Sequence, residues 1–77
     1  MLTQEEQDKL WNDYHPIMRS MNNEELQEEE KKLKGRFDEL EKKDPITKEE
    51  LKEKEEISYK LWMINGEWDV RKGKKGV

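Results

Sequence analysis

The chain contains one histidine, and it is the first residue to consider for catalysis. His15 stands beside Asp13 and Tyr14, directly before Pro16. An imidazole acts as a general base only where a pocket orients it against a substrate, and the sequence indicates no such pocket. We therefore interpret His15 as a polar residue near a helix end, and we predict a protein that is not an enzyme and has no catalytic residues.

Acidic residues are the next candidates, because carboxylates can hold divalent cations. They cluster at 28–30 and 53–56, inside predicted helices, whereas a calcium loop spaces its oxygen ligands along a turn with a glycine at the bend. The chain also lacks cysteine, which excludes thiolate metal sites and disulfides. We expect no metal and no cofactor, and we interpret these acids as a solvated helical surface paired with nearby lysines.

Aromatic residues are the strongest candidates for binding another protein, because tryptophan and tyrosine are enriched among interface hot spots. The candidates are Trp11, Tyr14, Trp62 and Trp68. The alternative is that these side chains form the core, which we favour for Trp11 and Trp62. Trp68 follows Gly66 among polar neighbours, so we predict that Trp68 is the exposed anchor.

The end of the chain is basic and suggests a different partner. Residues 71–77 contain no acid and four cations, Arg71, Lys72, Lys74 and Lys75. Such a tail could contact nucleic-acid phosphates while Trp68 stacks on a base. However, residues 1–70 hold all 20 acidic residues and only 12 of the 16 basic ones, and this excess repels a polyanion. We favour a disordered, solubilising tail, with nucleic-acid association as the alternative function.

The composition describes one small helical domain, which we place at residues 1–70. Only 30% of the residues are hydrophobic and 47% are charged, so the core must be narrow. No apolar run approaches the ~20 residues of a membrane span, and the acidic N-terminus does not resemble a signal peptide. We expect a cytoplasmic protein. The absence of alanine beside abundant lysine, glutamate and asparagine hints at a low-GC bacterium or its phages.

Three helix starts are marked by the same local pattern, a capping residue three positions before a glutamate. The pairs are Thr3 with Glu6, Asn22 with Glu25 and Thr47 with Glu50. We predict helices at about 3–15, 22–43 and 47–65, which end near Pro16, Asp44-Pro45 and Asn65-Gly66. For the first helix the alternative is a kinked helix that passes Pro16 and reaches Met18. Asn65-Gly66 is read as a helix C-cap, and the alternative is the type I′ turn of a β-hairpin.

The spacing of apolar residues predicts how these helices pack. Leu26, Leu33 and Leu40 fall seven residues apart, which is typical of a coiled-coil-like antiparallel hairpin between the second and third helices. The predicted seam contains Leu33, Phe37, Leu40, Leu51, Ile57 and Leu61. We expect the short first helix to pack at the open end of the hairpin, with Trp11, Tyr14, Ile17 and Met18 against Trp62 and Trp68.

These features favour an all-α protein–protein interaction module, such as an adaptor, an inhibitor or a small phage-type modulator of a host protein. Its partner is another protein that the sequence does not identify. A homodimer is also expected, because the heptad leucines of the second helix could pack against a second copy. Capping and heptad patterns occur in many unrelated helical proteins, so they indicate no particular family.

Overall fold

The computed structural model describes residues 2–72 and contains three α-helices. They are α1 (Gln4–Ser20), α2 (Asn23–Lys42) and α3 (Lys48–Arg71), and residues 2–72 contain no strand. All three predicted capping boxes are present, with N-caps at Thr3, Asn22 and Thr47. At each one the cap side chain accepts from the backbone N–H of the glutamate, whose carboxylate accepts from the N–H of the cap. The all-α class and the three helix starts are confirmed.

The second and third helices run in opposite directions. Side-chain contacts between them join residues that ascend along α2 to residues that descend along α3. These contacts are Glu30 with Trp68, Arg36 with Glu53, and Lys43 at the end of α2 with Glu50. Residues 43–47 make the connection. Leu40 and Ile57 are buried.

The first helix lies along α3 and runs parallel to it. Glu6 contacts Lys52 at 2.8 Å near the start of both helices, and Arg19 lies 3.6 Å from Glu67 near their ends. The first helix does pack at the open end of the hairpin, where Tyr14 and Met18 join the core with Leu26, Met63 and Ile64, and it also extends along α3 toward Lys52. With 17 residues, α1 is long enough to cover most of one side of α3.

The main core lies where all three helices meet. Tyr14, Met18, Leu26, Met63 and Ile64 form one buried cluster. Of the predicted seam, Leu40 and Ile57 are buried and Leu33, Phe37 and Leu61 are half-buried, but Leu51 is 42% exposed. Leu51 lies thirteen residues before Ile64, about 3.6 turns of helix, so its side chain points to the opposite side of α3.

The predicted end of α1 near residue 15 is wrong, and the alternative is closer, because the helix continues through Pro16 and past Met18 to Ser20. A proline inside a helix removes one backbone hydrogen bond. Tyr14 and Met18 stand on either side of the proline, and both are buried in the core. Packing of this continuous apolar stripe outweighs the lost bond, since tertiary contacts supply most of a helix's stability in a protein.

The predicted end of α3 is also wrong. The helix passes through Asn65 and Gly66 and ends at Arg71, so neither the C-cap nor the hairpin turn is present there. Arg71 is part of the helical body and not of a flexible tail: its guanidinium donates to the backbone oxygen of Met21 at 2.6 Å and to Asn23 at 2.8 Å. The rest of the proposed tail, residues 73–77 with Lys74 and Lys75, lies outside the described residues.

Candidate functional site

The solvent exposure of the three tryptophans is the reverse of the prediction. Trp62 is 63% exposed and Trp11 is 39% exposed, whereas Trp68 is half-buried and its indole N–H donates to Glu30 at 3.2 Å. Helix geometry explains the exchange. Trp68 follows the buried Ile64 by four residues and shares its side of α3, while Trp62 precedes it by two and faces away.

Four aromatic rings form a continuous row from α1 to α3, which we call the aromatic row. His15 stacks on Trp11 with ring centroids 4.4 Å apart. Trp11 lies 6.4 Å from Trp62 at an angle of 52°, and Trp62 stacks on Tyr59 at 5.5 Å. Offset and tilted geometries at these distances are favourable for aromatic pairs. The rings therefore hold one another in place while Trp11 and Trp62 remain exposed to solvent.

A groove of about 330 Å³ lies between α1 and α3 beside this row. The buried side chains of Met18 and Met63 form its floor, and Gly66 and Val70 extend it along α3. Val70 is 57% exposed. The groove thus combines an apolar floor with exposed apolar walls, a combination that suits an apolar side chain or helix from another molecule.

Shallower depressions continue this groove toward the start of α3. They are lined in part by Leu2, Leu51, Tyr59 and Trp62. The result is one surface, about 28 Å long at 1.5 Å per helical residue from Leu51 to Val70. We call it the α1/α3 face and define it by Leu2, Trp11, His15, Leu51, Tyr59, Trp62, Gly66 and Val70.

Gly66 gives this surface its depth. A Cβ added at Gly66 would meet no atom within 4 Å, so no neighbour within residues 2–72 requires a glycine here. A glycine inside a helix costs about 1 kcal/mol relative to alanine. The packing of the described chain does not offset that cost, but the absent side chain leaves space in the groove.

A cluster of ionic contacts closes the far end of the groove. Glu67 is 6% exposed and lies between two guanidinium groups, with Arg71 at 2.8 Å and Arg19 at 3.6 Å. Arg71 also donates to the backbone oxygens of Met18 and Met21 at the end of α1. These contacts fasten the α1–α2 connection to α3 and keep the groove walls in place.

An ion pair stands at the other end of the α1/α3 face, beside Leu2 and Leu51. The Lys52 ammonium, together with the backbone N–H of Thr3, lowers the pKa of Glu6 to about 2, and Glu6 in turn raises the pKa of Lys52. Both groups stay charged at neutral pH. The pair links the first turn of α1 to α3.

Tyr14 is not part of this surface, contrary to its selection as a partner-binding candidate. Its ring is 7% exposed, and its hydroxyl donates to Glu29 at 2.8 Å. Burial raises the pKa of this hydroxyl, and the Glu29 carboxylate raises it further. Tyr14 connects α1 to α2 within the core.

Residues proposed for nucleic-acid binding are only partly on the surface. Arg71 uses its guanidinium for Glu67, Asn23 and backbone oxygens, and Trp68 is held against Glu30. Neither group is placed to meet a phosphate or a base. Lys72, the C-cap of α3, is exposed.

The described residues show no arrangement typical of metal sites or membrane spans. Within residues 2–72 no three histidine, aspartate or glutamate side chains are grouped so that they could hold a metal ion. No helix in the same range is long and apolar enough to cross a membrane. His15 is half-buried and stacks on Trp11, so it belongs to the aromatic row.

The chain matches no family model, no curated protein and no solved structure. Its function must therefore be inferred from its own surface.

Several residues of the α1/α3 face were missed at the level of sequence. Tyr59, Gly66 and Val70 were not selected, and His15 was considered only as a base. One signal was available: Trp62, Gly66 and Val70 recur every four residues and so lie along one side of a helix. Trp11 and His15 have the same spacing on α1.

Proposed function

We propose that this protein is a non-enzymatic protein–protein interaction module that binds its partner through the α1/α3 face. The observation that supports this is the 63% exposure of Trp62, which is fixed in ring contact with Trp11 and Tyr59. A contiguous exposed apolar patch marks interaction sites in small proteins. Tryptophan is also the residue type most enriched among interface hot spots.

The energy available from covering this surface is large for so small a protein. A tryptophan buries roughly 150–250 Å² when fully enclosed. At about 25 cal/mol per Å², covering the exposed part of Trp62 alone contributes roughly 3 kcal/mol before the costs of association. Trp11 and Val70 extend the same patch. A partner that covers all three gains enough apolar burial for specific binding.

The rest of the fold supports this face as a rigid platform. The α2/α3 pair acts as a coiled-coil-like antiparallel hairpin, and α1 forms one wall of the groove. Glu67 is held by two arginines at one end and Glu6 by Lys52 at the other. A pre-organised surface loses little entropy on binding. Such a module acts as an adaptor, an inhibitor or a small modulator, including a phage-type modulator of a host protein.

The test is capture of protein by the tagged full-length chain from a lysate of its source cell, with captured proteins identified by mass spectrometry. Trp62→Ala removes the centre of the face. Ile17→Ala is the matched control, because Ile17 is 54% exposed but lies outside the face. Circular dichroism verifies that both variants remain helical.

We expect Trp62→Ala to weaken capture about 30-fold, the equivalent of a hot spot worth ~2 kcal/mol, and Ile17→Ala to leave it unchanged. A Trp62→Ala chain that captures the same proteins as the wild type, in the same amounts, contradicts the proposal.

A further inference from the structure

Charged residues line both ends of the α1/α3 face. Near its start, Lys48 and Lys52 of α3 lie beside Glu6 of α1. Near its end, Asp69 of α3 and Arg19 of α1 line the groove. On α3 these bases come before the acid, and on α1 the acid comes before the base. Two further acids, Glu55 and Glu67, line the same surface.

The apolar residues of α3 are arranged symmetrically about one point. Tyr59 and Trp62 stand at equal distances from the midpoint between residues 60 and 61, and Leu51 and Val70 stand at equal, larger distances from it. All four are on the α1/α3 face. Trp11 contacts Trp62 and so lies near the same level. The aromatic residues occupy the centre, and an aliphatic residue stands at each end.

We propose that the molecule that covers this face is a second copy of the same chain, packed antiparallel about a twofold axis between residues 60 and 61 of α3. The inference depends on the proposed function, namely that this face binds protein, and it identifies the partner. A closed twofold dimer requires a self-complementary patch. The order of charges and apolar residues meets that requirement.

The antiparallel packing brings complementary residues to the same level. Leu51 lies level with Val70 of the second copy, Tyr59 with its Trp62, and Lys52 with its Asp69. On α1, Arg19 of one copy approaches Glu6 of the other.

Gly66 has a role in the same arrangement. It lies level with Glu55 of the second copy, and the space that its absent side chain leaves admits the longer residue. Within residues 2–72 a Cβ at Gly66 meets no atom within 4 Å. Contact with Glu55 of a second copy therefore explains a glycine that the described fold does not require.

The size of the molecule is sufficient for this interface. Its extents are 44 × 26 × 21 Å, and the face occupies a long side. A standard interface takes about 800 Å² from each partner. The net charge of −4 on each copy opposes association, but repulsion beyond about 8 Å is screened at physiological salt. The proposed contacts of Lys52 with Asp69 and of Arg19 with Glu6 join opposite charges.

The direct test uses paired cysteines, since the chain has none of its own. Glu55 and Gly66 are eleven residues apart, about 16 Å along the helix, and a disulfide needs Cα atoms within about 7 Å. A chain with both Glu55→Cys and Gly66→Cys therefore cannot bridge within itself. Under mild oxidation we expect it to form a covalent dimer with two disulfides.

The two single variants are matched controls. In the proposed packing Glu55→Cys alone lies about 16 Å along the axis from its own copy, and so does Gly66→Cys alone. We expect both single variants to stay largely monomeric on a non-reducing gel. Equal cross-linking of the singles and the double variant, or none in any of them, contradicts the proposed register.

A charge exchange tests the same register without touching Gly66. Asp69→Lys places two lysines opposite each other twice per dimer, and we expect about a tenfold weaker association by sedimentation velocity. Adding Lys52→Glu restores opposite charges and should recover most of the affinity. Failure of the second change to rescue the first overturns the pairing of Lys52 with Asp69.

The outcomes also separate this inference from the proposed function. A wild-type chain that is monomeric by light scattering, yet captures a different protein in a Trp62-dependent manner, overturns the second copy as partner and leaves the interaction module in place. A monomeric chain whose captures do not depend on Trp62 overturns both.

Discussion

The two sides of α3 have similar residues and different surroundings. Toward α2, Ile57 and Ile64 are buried and Trp68 is fixed by Glu30. On the opposite side, Leu51, Trp62 and Val70 are 42%, 63% and 57% exposed. A helix that is apolar on more than one side is normally covered on each of them. Within residues 2–72 the chain covers one side of α3, and the proposed function assigns the other side to another molecule.

Truncating one side chain on each side of α3 should give the largest difference in the free energy of unfolding. Ile64 is fully buried, so Ile64→Ala should lower the free energy of unfolding by about 2–5 kcal/mol through lost burial and a residual cavity. Trp62→Ala should lower it less, by about 1 kcal/mol in dilute solution, because it removes mainly the ring contacts with Trp11 and Tyr59. Urea unfolding at low protein concentration measures both. Equal losses would show that the two sides are equally buried in the single chain.

Arg71 should give the next largest effect, because it ties α3 to the α1–α2 connection. Of the two arginines that contact the buried Glu67 within residues 2–72, Arg71→Ala leaves the more distant Arg19, and it frees the backbone oxygen of Met21. We expect a loss of about 1–3 kcal/mol in the free energy of unfolding. Arg71→Lys keeps the charge but not the planar fork of donors, so it should recover only part of the loss. Full stability in Arg71→Ala contradicts a fastening role.

Alanine substitutions at the two glycines inside helices should have a smaller effect on stability, and they separate the two sites by their effect on association. Neither Gly35 nor Gly66 has an atom within 4 Å of an added Cβ, so alanine at either site should stabilise the monomer by up to about 1 kcal/mol. Only Gly66 lies in the groove. Gly66→Ala should therefore weaken association in sedimentation velocity, while Gly35→Ala should not. If the two variants associate equally strongly, the proposed role of Gly66 in the α1/α3 face is contradicted.

The smallest effect should come from pH. Lys52, Lys43 and Arg36 lower the pKa values of Glu6, Glu50 and Glu53 respectively below the ordinary 4.5. A carboxyl whose pKa is lowered by folding contributes its full stability above the unfolded pKa and loses it as the pH falls toward the folded one.

Thermal unfolding should therefore show a midpoint that falls between about pH 4.5 and pH 2, the pKa of Glu6. Glu6→Gln should reduce this fall more than Glu5→Gln, a control in the same helical turn. All three ion pairs are on exposed surfaces, where salt screens them, so the fall should shrink in high salt. A midpoint independent of pH in this range contradicts these contacts.

Local features of the sequence were sufficient to predict the helix starts. A capping box is formed by residues three apart, so Thr3, Asn22 and Thr47 carry the signal without help from the rest of the chain. The heptad leucines of α2 were similarly informative. Leu26 and Leu40 are buried as predicted, because a regular stripe shows which side of a helix must be covered.

Features that depend on contacts between distant residues could not be predicted in this way. The helices continue through Pro16 and Gly66 because their stripes pack against other helices, and local propensity does not include that energy. The prediction for the tryptophans failed for a related reason. Residue type alone does not show which side of α3 faces α2, although the four-residue step from Ile64 to Trp68 already placed them together.

The most direct measurement is the mass of the full-length chain in solution by sedimentation equilibrium, for the wild type and for Trp62→Ala. If a second copy covers the α1/α3 face, the wild type should approach twice its 9.4 kDa as concentration rises, and its melting temperature should rise with it. Trp62→Ala should stay at 9.4 kDa with a concentration-independent melt. A wild-type chain that stays at 9.4 kDa throughout, with the same melt at every concentration, contradicts the dimer.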